Sequence, residues 1–304
     1  MDCVAILGPT ASGKSSLAMS IARERSGEII SVDSRQAYRN LDIGTSKPSM
    51  VERELVPHHM VDILDPSEKN SAEIYARAAR DAIGEIRERG NLPVLVGGSG
   101  LYYRAIFEGL FDIELDETDR KRFALSVKGE PTGELHEKLD LCDPVTANRI
   151  HPNDRYRIVR ALEVFELTGV PLSRHFELHT RKRKTGFEFL KIGIDLPRDI
   201  LHERINARTD EMIKAGWIEE TKRLLANGID PSCPGLRTLG YPEVISYISG
   251  DIDMETLVGT IQKFTRQYAK RQMTWFRKEQ EVHWLDLKGD DLHAGVLAIM
   301  DRRS

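Results

Sequence analysis

The sequence predicts an α/β fold, a parallel-sheet core flanked by helices and interrupted by an inserted all-helical domain. Three observations carry that prediction. The octapeptide Gly8-Pro9-Thr10-Ala11-Ser12-Gly13-Lys14-Ser15 matches G-x-x-x-x-G-K-[ST]. It lies between an apolar run, Cys3 to Leu7, and a helical pattern opening at Leu17-Ala18-Met19 and Ile21-Ala22. That strand, loop, helix order is the one in which such a loop wraps a phosphate. Short apolar runs then alternate with helical periodicity through the first hundred residues, which makes the core P-loop NTPase-like. From about Asp112 to Thr185 strand signals vanish and helix signals remain.

Cys3 to Leu7 reads as the first strand, Glu28 to Val32 as the second and Pro93 to Val96 as the third. Between the last two, Ser71 to Arg89 carries Ile74, Ala78, Ala82 and Ile86 at helical spacing. In the insertion, Thr118 is positioned to cap a helix ending near Gly129, Pro144 suits a first helical turn, and Asn153 is positioned to cap a helix closing at Gly169. Phe189 to Leu196 returns to strand character. Helices follow over Ile200 to Ala215, Ile218 to Ala226 and about Met254 to Glu279, and Val282 to Leu287 reads as a last strand. The chain therefore divides into residues 1–111 and 186–304, forming the core, and 112–185, forming the insertion. Strand order is not readable from the pattern.

Composition narrows the class. With 40% hydrophobic and 30% charged residues the chain is an ordinary globular protein, and no apolar run approaches the roughly eighteen residues that span a bilayer. Met1-Asp2 leads straight into the first strand, which leaves no secretory signal. Cys3, Cys142 and Cys233 are widely spaced and read as reduced thiols of a cytoplasmic protein. A net charge of −4 argues against indiscriminate nucleic-acid binding. Two zones are nonetheless basic: Arg174 to Lys184, and the C-terminal helix, where Lys263, Lys270 and Arg277 recur every seven residues beside Arg266. Each is either a confined phosphate-backbone face or a solvated helix face.

The candidate chemistry gathers at strand ends. The loop offers backbone amides, the Lys14 charge and the Ser15 hydroxyl, a Mg²⁺ ligand in such loops. Asp33 follows the second strand, where ligands of open α/β sheets bind. It is placed to hold metal, take a proton or simply cap a turn. The third strand ends in Gly97-Gly98-Ser99-Gly100 and lacks the Asp that hydrolytic P-loop ATPases place there, which counts against a motor or switch. Arg208 falls on the stripe of Leu201, Ile205 and Met212. A guanidinium there meets a diphosphate or a carboxylate, or snorkels to the surface. His58 and His59 are adjacent and do not converge, so zinc is not expected.

Taken together, these motifs resemble one family, the tRNA dimethylallyltransferases (tRNA isopentenyltransferases). The resemblance spans nearly the whole chain. It rests on GPTASGKS, on VDSRQAYRNLDIGTSKP from Val32 to Pro48, HHMVDILDPSE from His58 to Glu68, and LVGGSGLYYRA from Leu95 to Ala105. HPNDRYRIVRALEVFELTG from His151 to Gly169, RTLGYPE from Arg237 to Glu243 and TRQYAKRQMTWFRK from Thr265 to Lys278 complete it. The resemblance implies transfer of a dimethylallyl group from dimethylallyl diphosphate to N6 of the adenosine beside the anticodon, in tRNAs reading codons that begin with U. It implies no ATP consumption and a Mg²⁺ cofactor held at Ser15. The sequence does not fix oligomeric state; a monomer with no obligate protein partner and no membrane is the default expectation. By the same resemblance Asp33, Thr10 and Arg208 are catalytic, and Gly8, Thr10, Ala11, Ser12, Gly13, Lys14 and Ser15 hold the diphosphate. Asp33, Ser34, Arg35, Gln36, Ser99, Arg120, Tyr156, Arg157, Arg160, Arg237, Gly240 and Tyr241 match positions near the tRNA anticodon stem-loop. Two departures, Ser99 and Ser15 in place of threonines, both keep a hydroxyl.

Two other classes share part of this pattern. A small-molecule kinase also joins a P-loop to an activating carboxylate and a helical lid, but needs no basic C-terminal helix. A non-catalytic RNA-binding or nucleotide-switch protein needs neither Asp33 nor Arg208.

Overall fold

The structure is a computed structural model and describes residues 2–109, 115–180, 186–286 and 292–302. Six parallel strands form one sheet: β1 (Cys3–Leu7), β2 (Gly27–Ser31), β3 (His58–His59), β4 (Leu92–Gly97), β5 (Phe189–Asp195) and β6 (Val282–Asp286), in the order β3-β2-β4-β1-β5-β6. All five β1 residues are buried, as a central parallel strand covered on both faces requires. β4 enters between β1 and β2, pairing Ile6 with Val96 and Ser31 with Val96 on its two sides. The loops leaving β1, β2 and β4 therefore emerge side by side at the carboxyl edge.

β3 has no periodic signal because it is two residues long. It is held by pairing to Ile29 and Ile30 and by His59, whose Nε2 lies 2.6 Å from a carboxylate oxygen of the buried Glu28. Arg89 bonds the same carboxylate twice, at 3.0 and 2.8 Å, and Asn91 once. Arg89 above all, with Asn91 and His59, holds the Glu28 carboxyl down at about 2 despite its burial. The two histidines thus serve the sheet.

The helix Ala72–Glu88 buries Tyr75, Ala79, Ala82 and Ile86, whereas Ile74 and Ala78 of the expected stripe are exposed. A strict spacing of four drifts around a 3.6-residue helix, while alternation of four and three keeps one face. Two capping expectations move as well. Asp116 caps Glu117–Ser126 by accepting from the amides of Thr118 and Asp119, and Asp154, not Asn153, caps Arg155–Thr168 by accepting from Arg157. Carboxylates win there because each reaches two or three residues ahead to free first-turn donors. Pro144 opens the short helix Pro144–Ala147 and Gly169, at φ 70°, closes Arg155–Thr168.

Two compact units result, one of Met1–Phe107 with Gly186–Ser304, the other of Glu108–Thr185. The second unit is helical, with Leu135, Leu139, Ile158 and Ala161 at the centre of its own core. In the first, one core packs the helices Lys14–Glu24 and Arg198–Lys214 on the sheet. A second joins Tyr38 and Leu41 to the helices Trp217–Ala226, Tyr241–Ile248 and Met254–Phe276. Among the described residues no helix is long and apolar enough to cross a membrane.

Glu220 ties that second core to the chain after β2. Only 4% exposed, it accepts from the amides of Asp42 at 3.0 Å, Ile43 at 2.7 Å and Gly44 at 3.3 Å, and from the Tyr241 hydroxyl at 2.7 Å. Glu220→Ala leaves three half-buried amide bonds and the buried Tyr241 hydroxyl without their acceptor and is expected to destabilise the protein by about 2–4 kcal/mol. Urea unfolding measures this, and a loss below about 0.5 kcal/mol would contradict the assignment.

Candidate active site

Gly8 to Ser15 runs from the end of β1 into the helix Lys14–Glu24. Ala11 and Gly13 adopt left-handed conformations, at φ 62° and 87°, so successive amides turn inward to form an anion-sized nest at a helix N-terminus. Inside it the Ser12 hydroxyl is buried without a hydrogen-bond partner. Ser15 is exposed in the first helical turn.

Beside the nest lies a cavity of about 500 Å³. Its lining joins Thr10 and Ala11 of the loop, Asp33 to Arg35 after β2, Thr45 and Ser46, and Arg208 of the helix Arg198–Lys214. Arg237, Thr238 and Tyr268 close another side. Arg208 donates through Nε to Ser46 Oγ at 3.0 Å and through Nη1 to Thr10 Oγ1 at 3.3 Å. Asp33 Oδ1 accepts from the Arg35 amide at 2.8 Å, a turn-capping bond that fixes the carboxylate at the cavity wall. Two further cavity-lining groups, Thr238 Oγ1 and Trp217 Nε1, are buried without partners.

The electrostatics are lopsided. Among the described residues Lys14 Nζ bonds only the Pro9 carbonyl, at 3.0 Å. Burial first, and then repulsion from Arg208, push its ammonium down to about 8, against a smaller pull from Asp33. Burial likewise lowers Arg208, opposed by Asp33 and Glu211. Among the described residues no carboxylate lies within ion-pair distance of either cation. A site that desolvates two cations without neutralising them favours an anionic ligand.

Several residues expected near tRNA prove to be committed inside the protein. Gln36 accepts from Ser31 Oγ and donates to the carbonyls of Thr45 and Ser46, so it organises the loop. Tyr241 is fully buried with its hydroxyl on Glu220. Gly240 donates its amide to Glu243 and abuts Trp217. Ser99 Oγ accepts from the Ser34 amide at 3.1 Å. In the helical unit, Arg120 and Arg160 both bind Glu163, Arg157 pairs with Asp154 at 3.3 Å, and Tyr156 is 84% exposed. On the helix Met254–Phe276, Lys263 and Lys270 are exposed, but Arg266 bonds Asn206 and Arg277 after its end bonds Asp195. Arg181 to Lys184 lie outside the described residues.

Comparison with known proteins now bears on this geometry. The family profile described as IPP transferase matches residues 36–279, and that of isopentenyl transferase matches residues 1–60. The chain belongs to the IPP transferase family. A tRNA dimethylallyltransferase of Desulfosudis oleivorans is 45% identical over 286 residues, covering 94% of this chain and 91% of the relative. The crystal structure of the full-length tRNA isopentenylpyrophosphate transferase of Bacillus halodurans superposes with a TM-score of 0.71 at 40% identity, covering 99% of this chain and 94% of that one. A eukaryotic dimethylallyltransferase captured acting on tRNA gives 0.78 at 28% identity, covering 98% of this chain and 77% of that one.

Within this IPP transferase, sequence reasoning missed Ser46, Thr265, Tyr268 and Arg271 as cavity residues. Ile261, Thr265 and Tyr268 recur at spacings of four and three on one helical stripe. A threonine on that otherwise apolar stripe was the available signal.

Lys14 supplies a pH test. A bound anion favours its charged form, so binding takes up a proton once the free lysine is neutral, above about pH 8. The affinity of wild type for inorganic diphosphate relative to Lys14→Met is expected to be constant below that point and to fall above it, by up to about tenfold per pH unit. Calorimetric titration of both proteins from about pH 7 to about pH 9 checks this. The ligand's own ionisation cancels in the ratio, and a flat ratio would contradict the role.

Proposed function

We propose that this protein transfers the dimethylallyl group of dimethylallyl diphosphate to N6 of the adenosine adjacent to the anticodon, in tRNAs reading codons that begin with U. One observation carries the reading: a family member in which Asp33, Thr10 and Arg208 line a single cavity beside the loop Gly8–Ser15. The nest amides, Lys14 and Arg208 receive the diphosphate, leaving the prenyl carbon toward Asp33. Ser15, exposed one residue from Lys14, offers a hydroxyl that would hold a Mg²⁺ beside the diphosphate. Such ions keep most of their shell as water and phosphate. When bound, that ion supplies charge neutralisation to the departing diphosphate.

The adenine amino group is a weak nucleophile because its lone pair is delocalised into the ring. As the N6–C1 bond forms and the C1–O bond breaks, Asp33 takes the N6 proton. Negative charge grows on the leaving diphosphate, where Arg208 and Lys14 already stand without counter-ions. The Thr10 hydroxyl, in contact with Arg208, keeps the guanidinium aimed at that oxygen. The base leaves its stack to enter the cavity, which an unpaired loop makes less costly than a duplex. Exposed Tyr156 and the arginines 35 and 237 are the groups we assign to RNA contact. The protein acts as a cytoplasmic monomer, with no obligate protein partner.

Incubation of unmodified tRNA with labelled dimethylallyl diphosphate, or with labelled ATP, tests the reading. Prenyl label in RNA from the first is expected; phosphate transfer from the second without it would assign a kinase. In single-turnover assays Asp33→Asn is expected to lose roughly 10²- to 10⁴-fold in rate. Its tRNA dissociation constant should stay within about threefold of wild type. An unchanged rate would remove Asp33 as the base.

A further inference from the structure

Gln272 is a buried polar side chain with no part in the chemistry assigned so far. It sits on the helix Met254–Phe276 and is only 5% exposed. Its Oε1 accepts from the Thr10 amide at 2.9 Å, across 262 residues of sequence, and its Nε2 donates to the Gly98 carbonyl at 2.9 Å. One side chain thus joins the loop after β1 to the loop after β4. Those partners fix which end of the amide is oxygen, since Thr10 offers only a donor and Gly98 only an acceptor.

Gly98 reports the same fit independently. A Cβ built there lies 2.1 Å from Gln272 Nε2 and 3.3 Å from its Cδ, and Gln272 supplies its three nearest neighbouring atoms. Its φ is not among the positive ones. A side chain at 98 would therefore displace the Gln272 amide from its place.

We infer that Gln272 is a positioning residue for prenyl transfer, holding Thr10 so that its hydroxyl keeps Arg208 on the diphosphate. The inference rests on the transfer reading above. Because Oε1 occupies the Thr10 amide, that amide is withheld from the anion and serves as an anchor for the loop. The chain of contacts runs from Gln272 to the Thr10 backbone, and from Thr10 Oγ1 to the Arg208 guanidinium 3.3 Å away. A displacement there is felt most as charge develops on the leaving group, so it acts on turnover more than on donor binding.

Gln272→Met keeps the volume and removes both bonds. It is expected to lower kcat roughly 10- to 100-fold, with KM for dimethylallyl diphosphate within about threefold. Gln272→Glu separates positioning from packing. As a neutral acid it donates to Gly98 and accepts from Thr10, as glutamine does; ionised, it faces the Gly98 carbonyl without a proton. Its activity relative to wild type is therefore expected to be highest near pH 6 and to fall about fivefold or more by about pH 9. Taking the ratio cancels effects common to both proteins, including those of Lys14, Asp33 and Tyr268, whose phenol faces Ser99 and Gln272. Gly98→Ala should reproduce the kcat loss alone and add nothing to Gln272→Ala.

Hydrogen exchange at the Thr10 amide, faster in Gln272→Met by about tenfold or more, reads the anchor without any turnover. A wild type that transfers no prenyl group would sink the transfer reading, and exchange would still decide whether the anchor exists. Unchanged exchange, kcat within about twofold of wild type, a pH-independent Gln272→Glu ratio, or additive Gly98→Ala and Gln272→Ala losses would each overturn the inference.

Discussion

Two desolvated cations with no carboxylate at ion-pair distance among the described residues organise this protein. Lys14 and Arg208 come from distant parts of the chain and meet at the carboxyl edge of the sheet, where burial lowers both. Holding them there is unfavourable in the absence of an anion, so the fold must force the arrangement from outside the site. The nest does part of this by fixing Lys14 on the first turn of its helix. The helix Arg198–Lys214 does the rest by packing Leu201 and Ile205 on the sheet core, which sets Arg208 against Thr10 and Ser46.

The surroundings of the cavity answer the same demand. Gln36 and Glu220 clamp the segment from Asp42 to Ser46 through its backbone, so Ser46 is in place to receive Arg208 Nε. Gln272 does for Thr10 what those residues do for Ser46. Pre-set partners of this kind reduce the reorganisation needed when charge moves onto a leaving group. The buried hydroxyls and indole left without partners, at Ser12, Thr238 and Trp217, mark where the protein still has donors to give.

Much of this was legible in the sequence where chemistry and local pattern coincide. The loop from Gly8 to Ser15, Asp33 at a strand end and Arg208 on an apolar stripe were each visible from residue type and spacing. Strand order was not, because nothing in the run Pro93 to Val96 says that it enters between the first two strands. Tyr241, Gly240 and Gln36 resembled nucleic-acid contacts by motif alone, but their hydrogen bonds run inward. The basic helix illustrates the same limit. Its seven-residue period was real, yet Arg266 and the adjacent Arg277 find partners on distant segments, Asn206 and Asp195. Gln272 carried a faint signal, four residues beyond Tyr268 on a stripe otherwise bound for the interior. What it touches depends on two loops brought together only by the sheet.

Diffraction from crystals grown with a dimethylallyl diphosphate analogue whose bridging oxygen is sulfur tests the account most directly. The diphosphate is expected in the Gly8–Ser15 nest, with Lys14 Nζ and the Arg208 guanidinium each about 3 Å from its oxygens and the first prenyl carbon facing Asp33. A diphosphate bound elsewhere with Lys14 and Arg208 still unneutralised, or a nest that accepts only a nucleoside triphosphate, would contradict it.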